Sequence, residues 1–521
     1  MKKFLSIILI IISAQLIGQN VNLSNGLIFD GEPYIAINPN NSNQIVVAWM
    51  GYEIGKRIQI NTKSSNDGGL TWNSTVNIPH IISTYTSADV SLAFDANGTV
   101  YLSFIDYTGQ NTNPAEGGVY ITKSSNNGQS WSTPVEVIHT SVDPGKKCID
   151  RPWIVIDKSN AATQGTIYVS TMNAKGATPG FNPYISISTD GGNTFNWRYL
   201  DTANYLAGTI IIQPMPTPTV ASDGTFYAVY PSYVPSQSVY ARALLAYSSN
   251  SGNSFNYHTV ANYTSGVSDT LPNLGSFLTS NPANPNHLVF TSLEMNNGNL
   301  DVFMRESLDK GVYLSTKLKI NDDMGNAMQD LVWASFDSDG DLVISWRDRR
   351  NGSLNGYETD SEIWAAVRKH DSASFSSNFR VSDALVPYNT ILAESGNDFM
   401  SIKYINDTLH AVWGDPRDGV LNIWYQKMTD KGNIVSVTNI TKNTPINVSI
   451  YPNPTQDYIQ VDGEDIQYIV VYNVAGRVIA SITFREVKTN SKIDLTPFSS
   501  GIYTILVTTS IGSRAFQIVK N

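Results

Sequence analysis

The chain has 521 residues, of which 41% are hydrophobic and 15% are charged, and its formal net charge is −10. The length allows more than one domain, and the low charged fraction, with abundant Asn, Ser, Thr and Gly, is typical of a turn-rich β protein. The negative charge argues against nucleic acid or an anionic membrane as a partner held by bulk attraction. A local arginine cluster could still hold an acidic ligand.

The first 19 residues have the pattern of a secretory signal peptide. Lys2 and Lys3 precede a short apolar segment, Phe4 to Ile12, and small and polar residues follow to Gly18. The apolar segment is too short to span a membrane, so we predict export with cleavage near Gly18 and no transmembrane segment. Cys148 is the only cysteine, which excludes an internal disulfide.

A turn motif recurs about every 60 residues. Its copies are SSNDGGLTW (64–72), SSNNGQSW (124–131), STDGGNTF (188–195), SSNSGNSF (248–255), the weaker SLDKGVYL (307–314) and a trace, MTDKGNIV (428–435). The last interval is twice as long as the others, so a further unit is expected near residue 370. Periods of this size indicate stacked structural units.

Each unit begins with two β-rich segments separated by a turn that contains Asn, Asp, Gly or Pro, a hairpin pattern. The seven units begin at EPYIAI (32–37), DVSLAF (89–94), RPWIVI (151–156), TPTVAS (217–222), GSFLTS (275–280), LVWASF (331–336) and DFMSIKY (398–404). A third strand then leads into the recurring motif and a fourth. Seven units of four antiparallel strands predict an all-β fold, a seven-bladed β-propeller over residues 20–430, with residues 21–30 adding a closing strand.

The motif S-x-D-x-G-x-T-W at 65–72 resembles the Asp-box of the bacterial neuraminidase repeat superfamily, whose propellers include sialidases. The resemblance implies a scaffold turn between the third and fourth strands. Its Asp accepts backbone hydrogen bonds, its Gly adopts positive φ, and its aromatic residue packs between blades.

The composition changes after residue 430, where residues 431–445 form a polar linker. Residues 446–521 contain YPNP (451–454), NVAGRVI (473–479) and LTPFSSGIY (495–503). In this order they resemble the C-terminal sorting domain of type IX secretion cargo in Bacteroidetes, a small β-sandwich. The resemblance implies recognition by the type IX machinery and secretion or attachment at the outer surface.

Propeller topology brings the starts of the innermost strands and the ends of the second strands together at one face, where ligands usually bind. We predict a funnel there that is rich in carboxylates and arginines. The catalytic candidates are Asp89, Tyr107, Asp150, Arg151, Arg350 and Arg417, and the further funnel residues are Glu32, His80, Asp106, His139, Asp330, Asp348, Asp398 and Asp415. This mixture suits sugars, acidic sugars above all, because arginine binds carboxylate bidentately.

Simpler interpretations exist for several of these residues. WRDRRNG (346–352) and WGDPRDG (413–419) share W-x-D-x-R, which an internal Asp–Arg pair would explain. The carboxylates at strand starts could cap turns or hold an axial cation. FDSDGDL (336–342) could be a calcium loop, but its position in the repeat favours a hairpin turn. We therefore expect no cofactor and assign no metal ligands, although a structural Ca²⁺ would suit such carboxylates.

Three functions remain open. The main prediction is a secreted or surface-attached monomer that recognises a glycan at the funnel. The first alternative is a sialidase-like glycoside hydrolase with Arg151, Arg350 and Arg417 on an acidic sugar, Asp89 or Asp150 as the acid and Tyr107 as the nucleophile. The R-I-P motif of that family is absent from the first unit, and Arg151-Pro152-Trp153 in the third is the nearest match. The second alternative is a polysaccharide lyase that uses His80, His139 or Tyr107 as base and Arg151 to neutralise a uronate.

Overall fold

The computed structural model describes most of the chain after the first 19 residues. The described ranges are 20–52, 56–110, 113–174, 181–205, 215–263, 276–296, 298–354, 356–388, 397–433, 435, 448–473, 478–509 and 512–521. The predicted signal peptide and most of the predicted linker lie outside them. No helix within these ranges is long and apolar enough to cross a membrane. The chain divides into two compact units, 1–435 and 436–521.

The first unit contains seven antiparallel sheets of four strands each, which confirms the predicted propeller. The first described strand, β1 (Val21–Asn22), is followed by blade one, which contains β2 (Phe29–Asn38), β3 (Asn41–Tyr52), β4 (Gln59–Ser65) and β5 (Val76–Ile78). Blade two contains β6 (Thr86–Phe94), β7 (Val100–Gln110), β8 (Asn113–Ser124) and β9 (Val135–His139). Blade three contains β10 (Asp150–Ile156), β11 (Ile167–Met172), β12 (Pro183–Ser188) and β13 (Asn196–Tyr199).

Blades four to seven follow the same order. Blade four contains β14 (Thr217–Val220), β15 (Phe226–Ser232), β16 (Ala241–Ser248) and β17 (Asn256–Tyr263). Blade five contains β18 (Ser276–Ser280), β19 (Leu288–Asn296), β20 (Asn299–Ser307) and β21 (Leu318–Lys319). Blade six contains β22 (Gln329–Phe336), β23 (Leu342–Asp348), β24 (Glu362–Arg368) and β25 (Phe379–Arg380), and blade seven contains β26 (Ser401–Ile405), β27 (Thr408–Asp415) and β28 (Asn422–Thr429).

The N-terminal strand closes the ring. Strand β1 pairs antiparallel with β28, with Val21 opposite Tyr425, and so becomes the fourth strand of blade seven. The buried Leu23 packs beside Trp49 of blade one. This closure joins the two ends of the propeller sequence, as predicted for residues 21–30.

The Asp-box turns are structural. In the first, Asp67 Oδ1 accepts hydrogen bonds from Ser65 Oγ at 2.8 Å and from the backbone N–H of Leu70 and Thr71 at 3.0 and 2.9 Å. Gly69 has φ of 85°, and Trp72 packs edge-on against Tyr425 of blade seven at 5.0 Å. Each of the three expected roles is present, and the turn connects neighbouring blades.

The second unit is one curled sheet of five strands, β29 (Val448–Tyr451), β30 (Tyr458–Tyr472), β31 (Val478–Asp494), β32 (Gly501–Thr509) and β33 (Gly512–Lys520). The long strand β30 pairs with β31 along its whole length, and also with β29 at residues 460–463 and with β32 at residues 466–472. Because the sheet curls, apolar side chains from different strands, such as Val448, Ile469 and Ile505, share one core.

Candidate functional site

Four innermost strands begin with the same backbone irregularity. Glu32, Asp89, Arg151 and Leu331 have positive φ values of 53°, 38°, 57° and 51°, and each lies where its strand slips register against the second strand. Positive φ is uncommon outside glycine and costs on the order of 1 kcal/mol, and a bulge redirects the side chain. In blades one to three, the residue with the strained backbone carries an ionisable side chain, and the bulge positions it.

These groups meet at the axis. The Arg151 N–H donates to Asp89 Oδ2 at 3.0 Å, and the Arg151 guanidinium is hydrogen bonded to Asp398 Oδ2. Glu32 and Asp89 share a side-chain hydrogen bond, and Asp89 also bonds Asp150. We call these five residues, which come from blades one, two, three and seven, the axial cluster. It contains four carboxyl groups and one guanidinium.

The protonation of the cluster is asymmetric. Burial, followed by the charges of Asp89 and Asp398, raises the pKa of Glu32 well above its usual range. Burial also opposes ionisation of Asp89, but the charge of Arg151 and the hydrogen bond from Glu32 outweigh it and lower the pKa of Asp89. Glu32 is therefore the proton donor in its hydrogen bond with the Asp89 carboxylate, and Asp89 is the acceptor.

Solvent reaches only part of the cluster. The Asp398 side chain is 24% exposed and Asp150 is half-buried, whereas Glu32, Asp89 and Arg151 are buried. Glu32 Oε2 and one terminal nitrogen of Arg151 are buried without a hydrogen-bond partner. A ligand that approaches along the axis would therefore meet Asp398 and Asp150 first.

Tyr107 interacts electrostatically with the axial cluster. Burial, together with the charges of Asp89 and Asp150, raises the pKa of Tyr107 to about 12. The phenol therefore stays protonated at neutral pH, which disfavours its predicted role as a nucleophile and suits a hydrogen-bond donor.

Aromatic rings fill the axis directly after the cluster. Tyr34, Trp153, Phe277, Trp333 and Phe399 form this aromatic plug, with Phe277 stacked on Trp333 at 4.3 Å and Trp153 at 5.1 Å from Trp333. All five are buried, so the plug separates the cluster from the opposite end of the axis. It stabilises the centre of the propeller and offers no stacking face to a sugar.

The structure does not bring Arg350 and Arg417 to Arg151. Arg350 pairs with Asp348 and Asp322 and lies over the Trp364 ring, while Trp346 Nε1 donates to Asp348 Oδ2 at 2.7 Å. The second motif repeats this arrangement, with Arg417 on Asp415 and Trp424 and with the Trp413 indole on Asp415. The motif W-x-D-x-R therefore fixes its own turn, and this arrangement does not supply the three arginines around one sugar that the sialidase-like alternative requires.

Asp330 is held by neighbours that sequence reasoning missed. Arg347 Nε donates to Asp330 Oδ1 at 2.7 Å, Arg349 pairs with Oδ2 at 3.1 Å, and the Tyr357 hydroxyl donates to Oδ2 at 2.7 Å. Burial opposes ionisation, but the two arginine charges outweigh it and lower the Asp330 pKa. Asp330 is thus saturated rather than a ligand-binding carboxylate. The alternation of Arg347, Asp348 and Arg349 at the end of β23 is the sequence feature from which these contacts of Asp330 could have been predicted.

The histidine candidates also have structural partners. His80 Nδ1 lies 2.8 Å from Asp106 Oδ1, and the fully buried Asp106 also accepts from Ser87 and from the Ile81 N–H. His139 ends β9, the outermost strand of blade two, where it bonds Ser141. An outermost strand lies farthest from the axis, which does not favour the prediction that His139 lines the funnel.

The FDSDGDL segment forms the turn between β22 and β23. Asp339, Asp341 and His370 lie within reach of one another as metal ligands would. Lys369 Nζ, however, pairs with Asp341 at 2.7 Å, and the His370 N–H donates to it. The ammonium group of Lys369 therefore already occupies the place beside Asp341 that a metal ion would take.

The comparisons with known proteins identify the second unit. Residues 449–521 match the model of the secretion system C-terminal sorting domain. This is the type IX sorting domain predicted from its motifs, and it indicates secretion or attachment at the outer surface. No curated protein is significantly similar in sequence to the chain.

Solved structures resemble the chain at low identity. A protein of unknown function from Dyadobacter fermentans is 14% identical with a TM-score of 0.43, covering 67% of this chain and 99% of its own. The α-L-arabinofuranosidase Arb93A from Fusarium graminearum is 12% identical with a TM-score of 0.44, covering 66% and 93%. The NanB sialidase from Streptococcus pneumoniae is 11% identical with a TM-score of 0.41, covering 80% and 70%.

Proposed function

We propose that the propeller recognises a glycan at the axial cluster, with Asp398 and Asp150 accepting hydrogen bonds from sugar hydroxyl groups. The observation that carries this proposal is the convergence of Glu32, Asp89, Arg151 and Asp398 from four different blades. Strained backbone and buried charges cost stability, and they concentrate where proteins bind ligands.

The charge of the cluster points to a neutral or amino sugar. With Glu32 protonated, the guanidinium of Arg151 is the one cation of the cluster, and the charge of Asp89 and the ion pair with Asp398 already offset it. Arg151 is already paired with Asp398, so a sugar carboxylate would have to displace that partner. This argues against the acidic sugars suggested by the arginine-rich sequence and, with them, against the exo-sialidase and lyase alternatives.

One observation favours glycoside hydrolysis as a second candidate. Glu32 keeps its proton while Asp89 loses its own, and a protonated carboxyl beside an ionised one is what acid catalysis of glycoside cleavage needs. The two groups are directly hydrogen bonded, however, and so lie closer together than the roughly 5 Å that retaining glycosidases place between their carboxyls. Recognition therefore remains the first proposal.

The test is binding of the purified protein to an array of neutral, amino and acidic glycans, followed by calorimetry on the best ligand. We expect Asp398→Asn and Asp150→Asn each to weaken binding by about tenfold, because each removes a charge-assisted hydrogen bond. Asp339→Asn, an exposed aspartate in the turn between β22 and β23, is the control of equal charge change.

The outcomes separate the candidates. Retained binding by both axial variants, or preference for acidic glycans, would overturn the proposal. Release of reducing sugar from a bound glycan, lost in Glu32→Gln, would establish the hydrolase instead.

A further inference from the structure

A cavity lies at the other end of the axis, beyond the aromatic plug. It has a volume of about 540 Å³ and is lined by the C-terminal halves of all seven innermost strands and the turns that follow them. In β10, for example, Arg151 belongs to the axial cluster, Trp153 to the plug and Ile156 to the wall of this cavity. We call it the lower channel.

Two lysines line the lower channel. Lys158 follows β10 in blade three, and Lys403 lies within β26 in blade seven. Lys158 is exposed and Lys403 is half-buried. Among the contacts of the described residues, no ion pair or hydrogen bond engages either ammonium group, whereas the exposed Lys310 and the half-buried Lys369 are paired with carboxylates.

The electrostatics show that this charge is uncompensated. Burial and the positive charge of Lys158 together lower the pKa of Lys403 to about 8. Within the part of the chain that the structure describes, no carboxylate offsets this effect. Two cations that act on one another inside a protein are costly unless an anion is bound between them.

The rest of the wall is suited to a small organic ligand. Thr279, Ser335 and Ser338 supply hydroxyl groups, while Leu92, Phe94 and Phe336 supply apolar surface. A channel of this size accommodates a monosaccharide or a small aromatic acid rather than a polymer.

We propose that the lower channel binds a small organic anion whose carboxylate, sulfate or phosphate group lies between the ammonium groups of Lys158 and Lys403. This site lies on the opposite side of the plug from the axial cluster and does not depend on the glycan proposal. An anion there would contact blades three and seven at once and would tie the two sides of the ring together.

The experiment is calorimetry of the purified protein with benzoate, glucuronate, inorganic sulfate and inorganic phosphate. We expect binding at millimolar concentration or below, tighter for benzoate or glucuronate than for the inorganic ions because of the apolar wall. Lys403→Met and Lys158→Met should each weaken binding by about tenfold or more, and Lys403→Arg should retain it. The exposed Lys431, in the turn that follows β28, provides the charge-matched control Lys431→Met.

Thermal unfolding separates a binding role from a structural one. If Lys403 serves ligand binding, Lys403→Met removes an uncompensated cation and raises the Tm in the absence of anion. It should also abolish the rise in Tm that anion gives the unmodified protein. Absence of binding by all four anions, unchanged binding in both methionine variants, equal affinity for organic and inorganic anions, or a lowered Tm in Lys403→Met would overturn the proposal.

Discussion

The carboxyl group of Glu32 donates a hydrogen bond to the carboxylate of Asp89 at the axis of the propeller. The two residues belong to different blades, and both have left-handed backbone conformations at register slips. Their contact links backbone strain to protonation, because the bulges bring together two acids of which only one ionises readily.

Stability should respond to pH through Glu32. Its folded pKa lies above the ordinary value of 4.5, so as the pH rises above 4.5 the unfolded chain releases the proton while the folded protein retains it. Folding stability is then lost, by about 1.4 kcal/mol per pH unit, until the pH passes the folded pKa. The side chain in Glu32→Gln cannot ionise. The Tm of this variant minus the Tm of the unmodified protein should therefore increase as the pH rises from 4.5 to 7.

Thermal unfolding across that pH range makes the comparison. Glu136→Gln, an exposed residue of β9, should track the unmodified protein at every pH. A constant difference in Tm between Glu32→Gln and the unmodified protein would mean that Glu32 ionises normally.

Arg417 should matter for stability and not for ligand binding. Arg417→Ala removes the cation from the carboxylates of Asp415 and Asp383, and we expect a loss of about 1–3 kcal/mol measured by urea unfolding. Its glycan affinity should stay within about twofold of the unmodified protein, whereas Asp398→Asn should lose about tenfold. Equal losses of glycan affinity in both variants would show that Arg417 contributes to ligand binding.

The Asp-box glycine should be intolerant of a side chain. At Gly69, φ is 85° and an added Cβ would lie 2.0 Å from the hydroxyl of the buried Tyr425, so Gly69→Ala should cost at least about 2–4 kcal/mol. Gly419 has a similar φ of 89° but open space around its Cβ position. Gly419→Ala should therefore lower the free energy of unfolding by only about 1 kcal/mol, the cost of the strained backbone. Similar losses at both positions would mean that the contact between blades does not explain the effect at Gly69.

Closure of the ring should depend on the N-terminal strand. Leu23 is 1% exposed and packs with blade one, so Leu23→Ala should destabilise the propeller by about 2–4 kcal/mol. Val21, in β1 itself, is 43% exposed, and Val21→Ala should cost less than about 1 kcal/mol. A small effect at Leu23 would show that the strand pairing of β1 contributes little to closure.

The blade count, the Asp-box turns and the sorting domain could be predicted from the sequence because each depends on local chemistry. A turn such as 64–72 requires its own Ser, Asp and Gly, and regular spacing of such turns shows how many blades follow. The starts of the innermost strands were also predictable, since topology places Glu32, Asp89, Arg151 and Asp398 at one face.

Only the tertiary structure decided which charges meet. Arg350 and Arg417 were candidates for the same site as Arg151, but each is bound within its own turn by Asp348 or Asp415. The protonation of Glu32 and the placement of Lys158 and Lys403 on the wall of one cavity depend on distances between residues far apart in the chain. Electrostatic free energy depends on separation and burial, and the order of residues alone fixes neither.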